Sequence, residues 1–75
     1  MAEALLRAQG GVCDVCKAAV LFGAKEYAQR ACIDHCHATG RVRGILCPGC
    51  NLALGNLRDS PQSCENAAAY LRKSA

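Results

Sequence analysis

The stretch Arg30–Asn51 reads RACIDHCHATGRVRGILCPGCN and decides the fold. It holds two short β-prone runs, the second being Val42–Leu46, and a Gly-containing turn separates them, as in a β-hairpin. Pro48 then suits the first turn of a helix, where a missing N–H loses no intrahelical partner. We therefore predict a hairpin over Arg30–Leu46, followed by a helix that begins near Pro48.

Two Cys-x-x-Cys pairs, Cys13/Cys16 and Cys47/Cys50, lie on either side of the hairpin. Each pair can present two thiolates from one tight turn to a tetrahedral Zn²⁺ at about 2.3 Å. Four cysteines fill the shell and leave no position for substrate water, so we predict one structural Zn²⁺ per chain. A chain of 75 residues needs such support, because a domain of this size buries only roughly 60% of its unfolded surface.

Helices are expected on both sides of this centre. Ala2–Gln9 predicts a short helix ended by two glycines, and Ser60-Pro61 supplies an N-cap and a first-turn proline for a last helix. The apolar run Ala18–Tyr27 fits a strand, a turn or a loop, so it receives no assignment. The pattern predicts one small α+β zinc-bound domain over residues 1–75. The side chains expected in the core are Leu5, Leu6, Phe22, Cys32, Leu52, Ala53, Leu54, Leu57, Cys64, Ala67, Ala68, Tyr70 and Leu71.

Charge and compartment limit the classes of partner. The formal net charge is +3, and four thiolates with one Zn²⁺ lower it to +1, so affinity for nucleic acid has to come from local placement. Arg30, Arg41 and Arg43 flank the histidine segment and are the candidate phosphate contacts.

No secretory signal is recognisable, and the apolar run Ala18–Ala24 is far shorter than the ~20 residues of a membrane span. We expect a reducing cytoplasm, where Cys-x-x-Cys pairs usually hold zinc.

The segment Asp34–His37, DHCH, carries residue types suited to metal-assisted phosphodiester hydrolysis. Strand alternation predicts Asp34 and Cys36 on one face and the two histidines on the other. A carboxylate supplies oxygen to Mg²⁺, and a neutral imidazole is a competent base near pH 7. Asn51, in the first turns of the predicted helix, is the candidate for a further oxygen ligand. Cys36 stays open between packing and ligation of a second metal.

The residues from Ile33 to Gly55, IDHCHATGRVRGILCPGCNLALG, resemble the phage recombination endonuclease VII family of His-Me finger (HNH-like) nucleases. The resemblance rests on DHxH, TGxxRG, LCxxCN and LG at these separations, preceded by the Cys13/Cys16 pair and followed by Asp59 and the segment AAAYLRK. It covers nearly the whole chain. It implies a ββα-metal core, formed by the hairpin and the helix from Pro48, with a four-cysteine zinc site and flanking helices.

The same resemblance implies a Mg²⁺- or Mn²⁺-dependent DNA endonuclease that leaves a 5′-phosphate and a 3′-hydroxyl. Asp34 and Asn51 match the residues that hold the catalytic cation, and His35 matches the general base. His37 matches a second active-site histidine at the scissile phosphate. The remaining matches are Cys13, Cys16, Cys47 and Cys50 as structural zinc ligands, and Arg41 and Arg43 near the DNA backbone.

The resemblance leaves substrate and assembly open. Junction-resolving relatives have further helical sequence through which two subunits intertwine, whereas this chain ends at Ala75. A homodimer and a preference for branched DNA are therefore unsettled expectations, beside plain cleavage of duplex DNA. The expected location is the cytoplasm of a bacterium or of a phage-infected host.

Two other classes of function remain open from the sequence. A non-catalytic module of the RING or LIM type would bind a second zinc through Cys32, His35, Cys36 and His37. Consecutive positions on a strand oppose a common tetrahedral site, because their side chains point to opposite faces. A DNA-binding relative without cleavage would keep the same fold, and nothing in the chain signals a lost active site.

Overall fold

The structure is a computed structural model that describes residues 2–73. Its elements are α1 (Ala2–Ala8), a 3₁₀ turn (Tyr27–Gln29), β1 (Cys32–His35), β2 (Val42–Leu46), α2 (Pro48–Asn56) and α3 (Pro61–Lys73). The predicted small α+β fold is confirmed, and the strands and α2 follow one another in the expected order. The N-cap prediction is also confirmed, since the Ser60 hydroxyl accepts the Ser63 N–H at 3.1 Å. Within the described range, no helix is long and apolar enough to cross a membrane.

The two strands form an antiparallel hairpin with an irregular register. Asp34 pairs with Gly44, but His35 pairs with Val42, so Arg43 is an extra residue in β2. Such a bulge bends the strand and re-aims a side chain. In a regular ladder Arg43 would lie on the opposite face from Gly44, whereas here its guanidinium reaches Asp34, the cross-strand partner of Gly44.

The hydrophobic core is small and lies between α1, β2 and the first cysteine turn. Its fully buried members are Ile45 and Cys13, and Leu6, Val20 and Leu46 surround them. Partly buried side chains complete it, among them Leu5, Phe22, Cys47, Cys50 and Leu54. The run Ala18–Tyr27, for which the sequence predicted no element, contributes Val20 to the core. Isolated β-bridges hold it, between Val12 and Ala19 and between Leu21 and Arg30.

Gln9 fastens α1 to the hairpin through its side-chain amide. Its Oε1 accepts the Ile45 N–H at 2.8 Å, and its Nε2 donates to the carbonyls of Ile45 at 3.0 Å and Val12 at 2.8 Å. Gly44 permits this approach, because a Cβ there would lie 3.2 Å from Gln9 Oε1. The amide therefore satisfies backbone groups on the edge of β2 that β1 does not cover.

The connection between α2 and α3 has an unusual backbone. Arg58 and Asp59 both adopt left-handed conformations, with φ of 58° and 54°. The Arg58 N–H donates to the Gly55 carbonyl at 2.9 Å, and the Asp59 N–H donates to the Leu54 carbonyl at 2.8 Å. These bonds form a Schellman motif, in which the left-handed position is usually glycine. A non-glycine residue costs roughly 1–2 kcal/mol there.

Several predicted core positions are wrong. Leu52, Tyr70 and Leu71 are about two-thirds exposed, at 66%, 64% and 65%, and Ala53 is also exposed. The physical reason is that α1, β2 and the cysteine turns already enclose the core, while α3 packs only weakly on the other elements. The remaining predicted positions of the two C-terminal helices are half-buried: Leu54, Leu57, Cys64, Ala67 and Ala68.

We expect Gln9→Ala to lower the free energy of unfolding of the zinc-loaded chain by about 1–3 kcal/mol, because it leaves backbone groups of the half-buried β2 edge without partners. Urea titration followed by circular dichroism measures this. Gln62→Ala is the matched control, since that amide bonds only within the exposed face of α3, and its effect should stay within about 0.5 kcal/mol. Equal losses of unfolding free energy in the two variants would contradict a role of Gln9 as a clamp between α1 and the hairpin.

Candidate functional site

The four cysteines of the two Cys-x-x-Cys pairs converge on one point. Among residues 2–73, Cys13, Cys16, Cys47 and Cys50 form the one group of His, Cys, Asp or Glu side chains close enough to share a metal ion, with their sulfur atoms within 4.8 Å of one another. The Cys16 and Cys47 sulfurs are 3.8 Å apart. A tetrahedron with bonds of about 2.3 Å has edges of about 3.8 Å, so the cluster is compatible with a structural zinc.

Backbone N–H groups bond two of the four sulfur atoms. The Cys47 sulfur caps α2 by accepting the Cys50 N–H at 3.3 Å, and the Cys13 sulfur accepts the Val15 N–H at 3.4 Å. Burial alone would raise the pKa of Cys13, but backbone N–H groups of Cys47, Cys16 and Val15, with the Cys16 side chain, together lower it to about 6. The opposite holds for Cys50, where burial and the neighbouring cysteines raise the pKa to about 12.

We expect Cys47→Ala to lose its metal and to unfold, because a structural zinc supplies on the order of 10 kcal/mol of folding free energy in such small folds. Zinc content by mass spectrometry and far-ultraviolet circular dichroism measure this. Cys64→Ala is the control, since Cys64 lies outside the cluster on α3, and it should keep one zinc and its helices. A folded, zinc-free Cys47→Ala chain would contradict a zinc-stapled fold.

Zinc affinity should also fall as the pH is lowered. Cys50, with a pKa of about 12, carries a proton at neutral pH, and Cys13 gains one as the pH drops through about 6. Zinc must displace these protons, so each thiol that becomes protonated weakens binding by about tenfold per pH unit below its pKa. Competition with a chelating dye between about pH 7 and about pH 5 measures the change, and a flat profile would contradict it.

A second polar group links β1, β2 and the α2–α3 connection. Arg43 forms a bidentate pair with the 8%-exposed Asp34, with Nε 2.7 Å from Oδ2 and Nη2 3.0 Å from Oδ1. The same Nη2 lies 3.4 Å from Asp59 Oδ1, and His37 Nδ1 lies 3.1 Å from Asp59 Oδ2. Hydrogen bonding to Asp34 raises the pKa of Arg43, which stays charged. We call these four residues, Asp34, Arg43, Asp59 and His37, the charge chain.

The two histidines do not share a face, which corrects the prediction from strand alternation. His35 lines an apolar groove with Leu5 of α1 and with Ile33 and Val42. His37 instead reaches Asp59, on the side of the hairpin where Asp34 lies. Alternation fails because β1 ends at His35, so that His37 belongs to the turn, which Gly40 closes through its N–H bond to the Cys36 carbonyl.

Asn51 lies on the side of α2 that faces β1. It lines a shallow hollow with Cys32, whose side chain shares a strand face with Asp34. Asp34 lines a separate hollow with Leu54, one turn after Asn51 on α2. The predicted cation ligands thus lie on facing elements, while His35 projects from the other face of β1. The described contacts do not join Asn51 to Asp34 or to His35 directly.

The predicted phosphate contacts differ from one another. Arg41 is exposed in the hairpin turn. Arg30 donates from Nε to the Ala24 carbonyl at 2.9 Å, and its guanidinium lies 5.7 Å from the centre of the Tyr27 ring. Arg43 is committed to two carboxylates. Arg41 is therefore the cation of the three with the most freedom to meet a phosphate.

The four cysteines and the charge chain lie within a stretch that matches a known protein family. A model of the recombination endonuclease VII family matches residues 1–73. The chain belongs to this family. The endonuclease VII resemblance drawn from the motifs between Ile33 and Gly55 is thereby confirmed.

Two curated phage proteins are similar to this chain. The Gene 59 protein of Mycobacterium phage D29 is 41% identical over 71 residues, which cover 93% of this chain and 40% of the relative. The Gene 59 protein of Mycobacterium phage L5 is 44% identical over 64 residues, which cover 84% and 36%. The chain thus spans about two-fifths of the length of these relatives. No solved structure is significantly similar to it.

Sequence reasoning assigned no role to Asp59 and did not pair Arg43 with Asp34. Asp59 stands alone before the Ser60 N-cap, and only the left-handed turn brings its carboxylate to the hairpin. Arg43 reaches Asp34 because of the bulge in β2. No motif spacing in the sequence signals either contact, because both depend on how distant segments pack.

Proposed function

We propose that the chain is a Mg²⁺-dependent DNA endonuclease that hydrolyses phosphodiester bonds, nicking duplex or branched DNA. The observation that carries the proposal is the match to the recombination endonuclease VII family across residues 1–73. In this proposal residues 1–75 act as one nuclease unit with a His-Me finger core of β1, β2 and α2. The four-cysteine cluster holds one structural Zn²⁺. The site of action is the cytoplasm of a phage-infected bacterium.

Asp34 and Asn51 supply the oxygen ligands of the catalytic cation in this proposal. Their carboxylate and amide oxygens suit a hard cation such as Mg²⁺ or Mn²⁺, and they belong to facing parts of β1 and α2. A Mg²⁺ held there would polarise the scissile phosphate and stabilise charge on the leaving oxygen. Arg43 already bonds both Asp34 oxygens. Each oxygen keeps a second lone pair for a cation, although the guanidinium charge weakens that affinity.

His35 is the proposed general base. Its ring is exposed and lines an open groove about 350 Å³ in volume, so water and DNA can reach it. A neutral imidazole accepts the proton of the attacking water near pH 7. His37, two residues further along the chain and on the other side of the hairpin, is the proposed contact to the scissile phosphate.

DNA is the proposed partner, bound mainly through its backbone. Arg41 contacts phosphate from the exposed hairpin turn. Arg30, which lies just before β1, is the second proposed contact. Contacts of this kind give affinity without reading sequence. Arg43 acts indirectly here, by fixing Asp34 and Asp59. Pairing of two chains into a homodimer is part of this proposal only for branched DNA, which a two-fold enzyme would suit.

The main alternative, a module with two zinc ions, lacks a second ligand set within the described range. Cys32 and His35 lie on opposite faces of β1, and His37 is bonded to Asp59. Four ligands from this segment therefore do not converge. One zinc per chain remains the expectation.

We expect the zinc-loaded chain to convert supercoiled plasmid to nicked circles when Mg²⁺ is added. His35→Ala should slow nicking by roughly 100-fold or more, as the loss of a general base does. Asn51→Ala should slow it similarly by weakening the cation site. Gel quantification of nicked and linear forms measures the rates. Omission of Mg²⁺ is the metal control, because a strong chelator would also remove the zinc.

A control variant and a chemical rescue complete this experiment. Glu65→Gln, a charge change on the exposed face of α3, should nick at the wild-type rate. Imidazole added to His35→Ala should restore part of the activity, because the open groove admits a small base. Nicking by both His35→Ala and Asn51→Ala at the wild-type rate, with zinc content unchanged, would refute the assigned site. A folded, one-zinc chain that binds DNA without nicking would instead identify a binding module.

A further inference from the structure

We propose that Asp59 is a positioning residue of the nuclease site, which holds His37 in one tautomer and one orientation so that Nε2 faces the DNA. This inference rests on the proposed function and extends it to a residue outside the DHxH and LCxxCN motifs. The proposal rests on the contact between His37 Nδ1 and Asp59 Oδ2 at 3.1 Å. It joins the hairpin turn to the connection between α2 and α3.

The contact determines which ring nitrogen is available. An ionised carboxylate can only accept a hydrogen bond, so the 3.1 Å contact favours a proton on Nδ1 of His37. Nε2 is then directed away from Asp59. The neutral ring offers Nε2 as an acceptor, and the protonated ring offers a second N–H to a phosphate oxygen. In both states Asp59 decides which nitrogen faces outward.

His37 needs such an anchor because its side chain is 82% exposed, whereas that of Asp59 is only 18% exposed. An exposed ring at the start of a turn samples several rotamers unless a partner holds it. The carboxylate of Asp59 is held on its other side, because Oδ1 lies 3.4 Å from the Arg43 guanidinium. Arg43 is in turn fixed by its bidentate pair with Asp34.

The backbone of the connection restricts Asp59 as well. The left-handed pair Arg58 and Asp59 is closed by the Schellman bonds to Gly55 and Leu54 at the end of α2. Strained backbone of this kind tends to persist where the surrounding structure requires it and often lies at functional sites. Asp59 is therefore tied to α2 by its backbone and to the hairpin by its side chain. A carboxylate fixed from two sides can orient an otherwise mobile ring.

The charges within the charge chain favour the contact between Asp59 and His37. Two carboxylates, Asp34 and Asp59, share one guanidinium. Arg43 is bidentate to Asp34 and offers a single, longer contact to Asp59, so the Asp59 charge is less neutralised. Its Oδ2 remains a good acceptor for the His37 N–H.

The test combines nitrogen-15 correlation spectra of the imidazole rings with cleavage rates. The chain has two histidines, so His35 serves as the internal control in every spectrum. We expect the wild-type His37 to carry its proton on Nδ1 when neutral. Asp59→Asn should shift His37 toward the Nε2–H tautomer and leave His35 unchanged. The same variant should lower kcat for plasmid nicking about tenfold, as the loss of an orienting partner typically does.

A double-mutant cycle separates positioning from mere structural support. If Asp59 acts through His37, then Asp59→Asn added to His37→Ala should change the cleavage rate by no more than about twofold. Glu65→Gln, which removes one negative charge on α3, should alter neither the spectra nor the rate. Zinc content shows that each variant keeps its fold. An additive loss in the cycle would overturn the proposal.

The tautomer readout is independent of cleavage. A wild-type His37 protonated on Nε2, or a tautomer that Asp59→Asn does not change, would overturn the positioning role even in an active enzyme. A chain that shows the expected tautomer shift and yet cleaves no DNA supports the Asp59–His37 coupling and refutes the nuclease function alone.

Discussion

Four sulfur atoms within 4.8 Å of one another connect the turn after α1 to the junction of β2 and α2. Cys16 and Cys47 are 31 positions apart in the chain, and the hairpin lies between them. A metal held at this point would close a long loop and align three elements at once. The apolar core could not do this alone, because Ile45 and Cys13 are its only fully buried members among the described residues. Cys13 thus belongs both to the core and to the metal cluster.

The polar side of the molecule depends on that alignment. Fixing α2 against β1 brings the C-terminal end of α2 near the hairpin, where its left-handed turn delivers Asp59 to Arg43. The bulge in β2 delivers Arg43 to Asp34. The contacts of the charge chain thus follow one another from Asp34 through Arg43 and Asp59 to His37. This order explains why a chain with so small a core can still hold polar side chains in defined geometry.

Local signals in the sequence were enough for the α-helices, the hairpin and the four-cysteine cluster. The Cys-x-x-Cys spacings, the turn around Gly40, Pro48 and the Ser60 N-cap each act within a few residues, so they could be read directly. The burial of Tyr70 and Leu71 was predicted wrongly, because periodicity shows which side of a helix is apolar and not whether anything covers it. The Gln9 clamp and the Asp59 contacts join segments that are distant in the chain. No local pattern encodes such contacts.

The amide of Gln9 also bears on how the hairpin behaves toward other chains. A bare strand edge is a template for pairing with a second molecule. The outward N–H and carbonyl of Ile45 are occupied by Gln9, and the Asp14 N–H adds a further bond to that carbonyl. Ile33 and Val42 leave apolar surface exposed on the same hairpin, which would otherwise favour aggregation. One polar side chain thereby occupies backbone groups through which this edge of the hairpin would otherwise pair with another molecule.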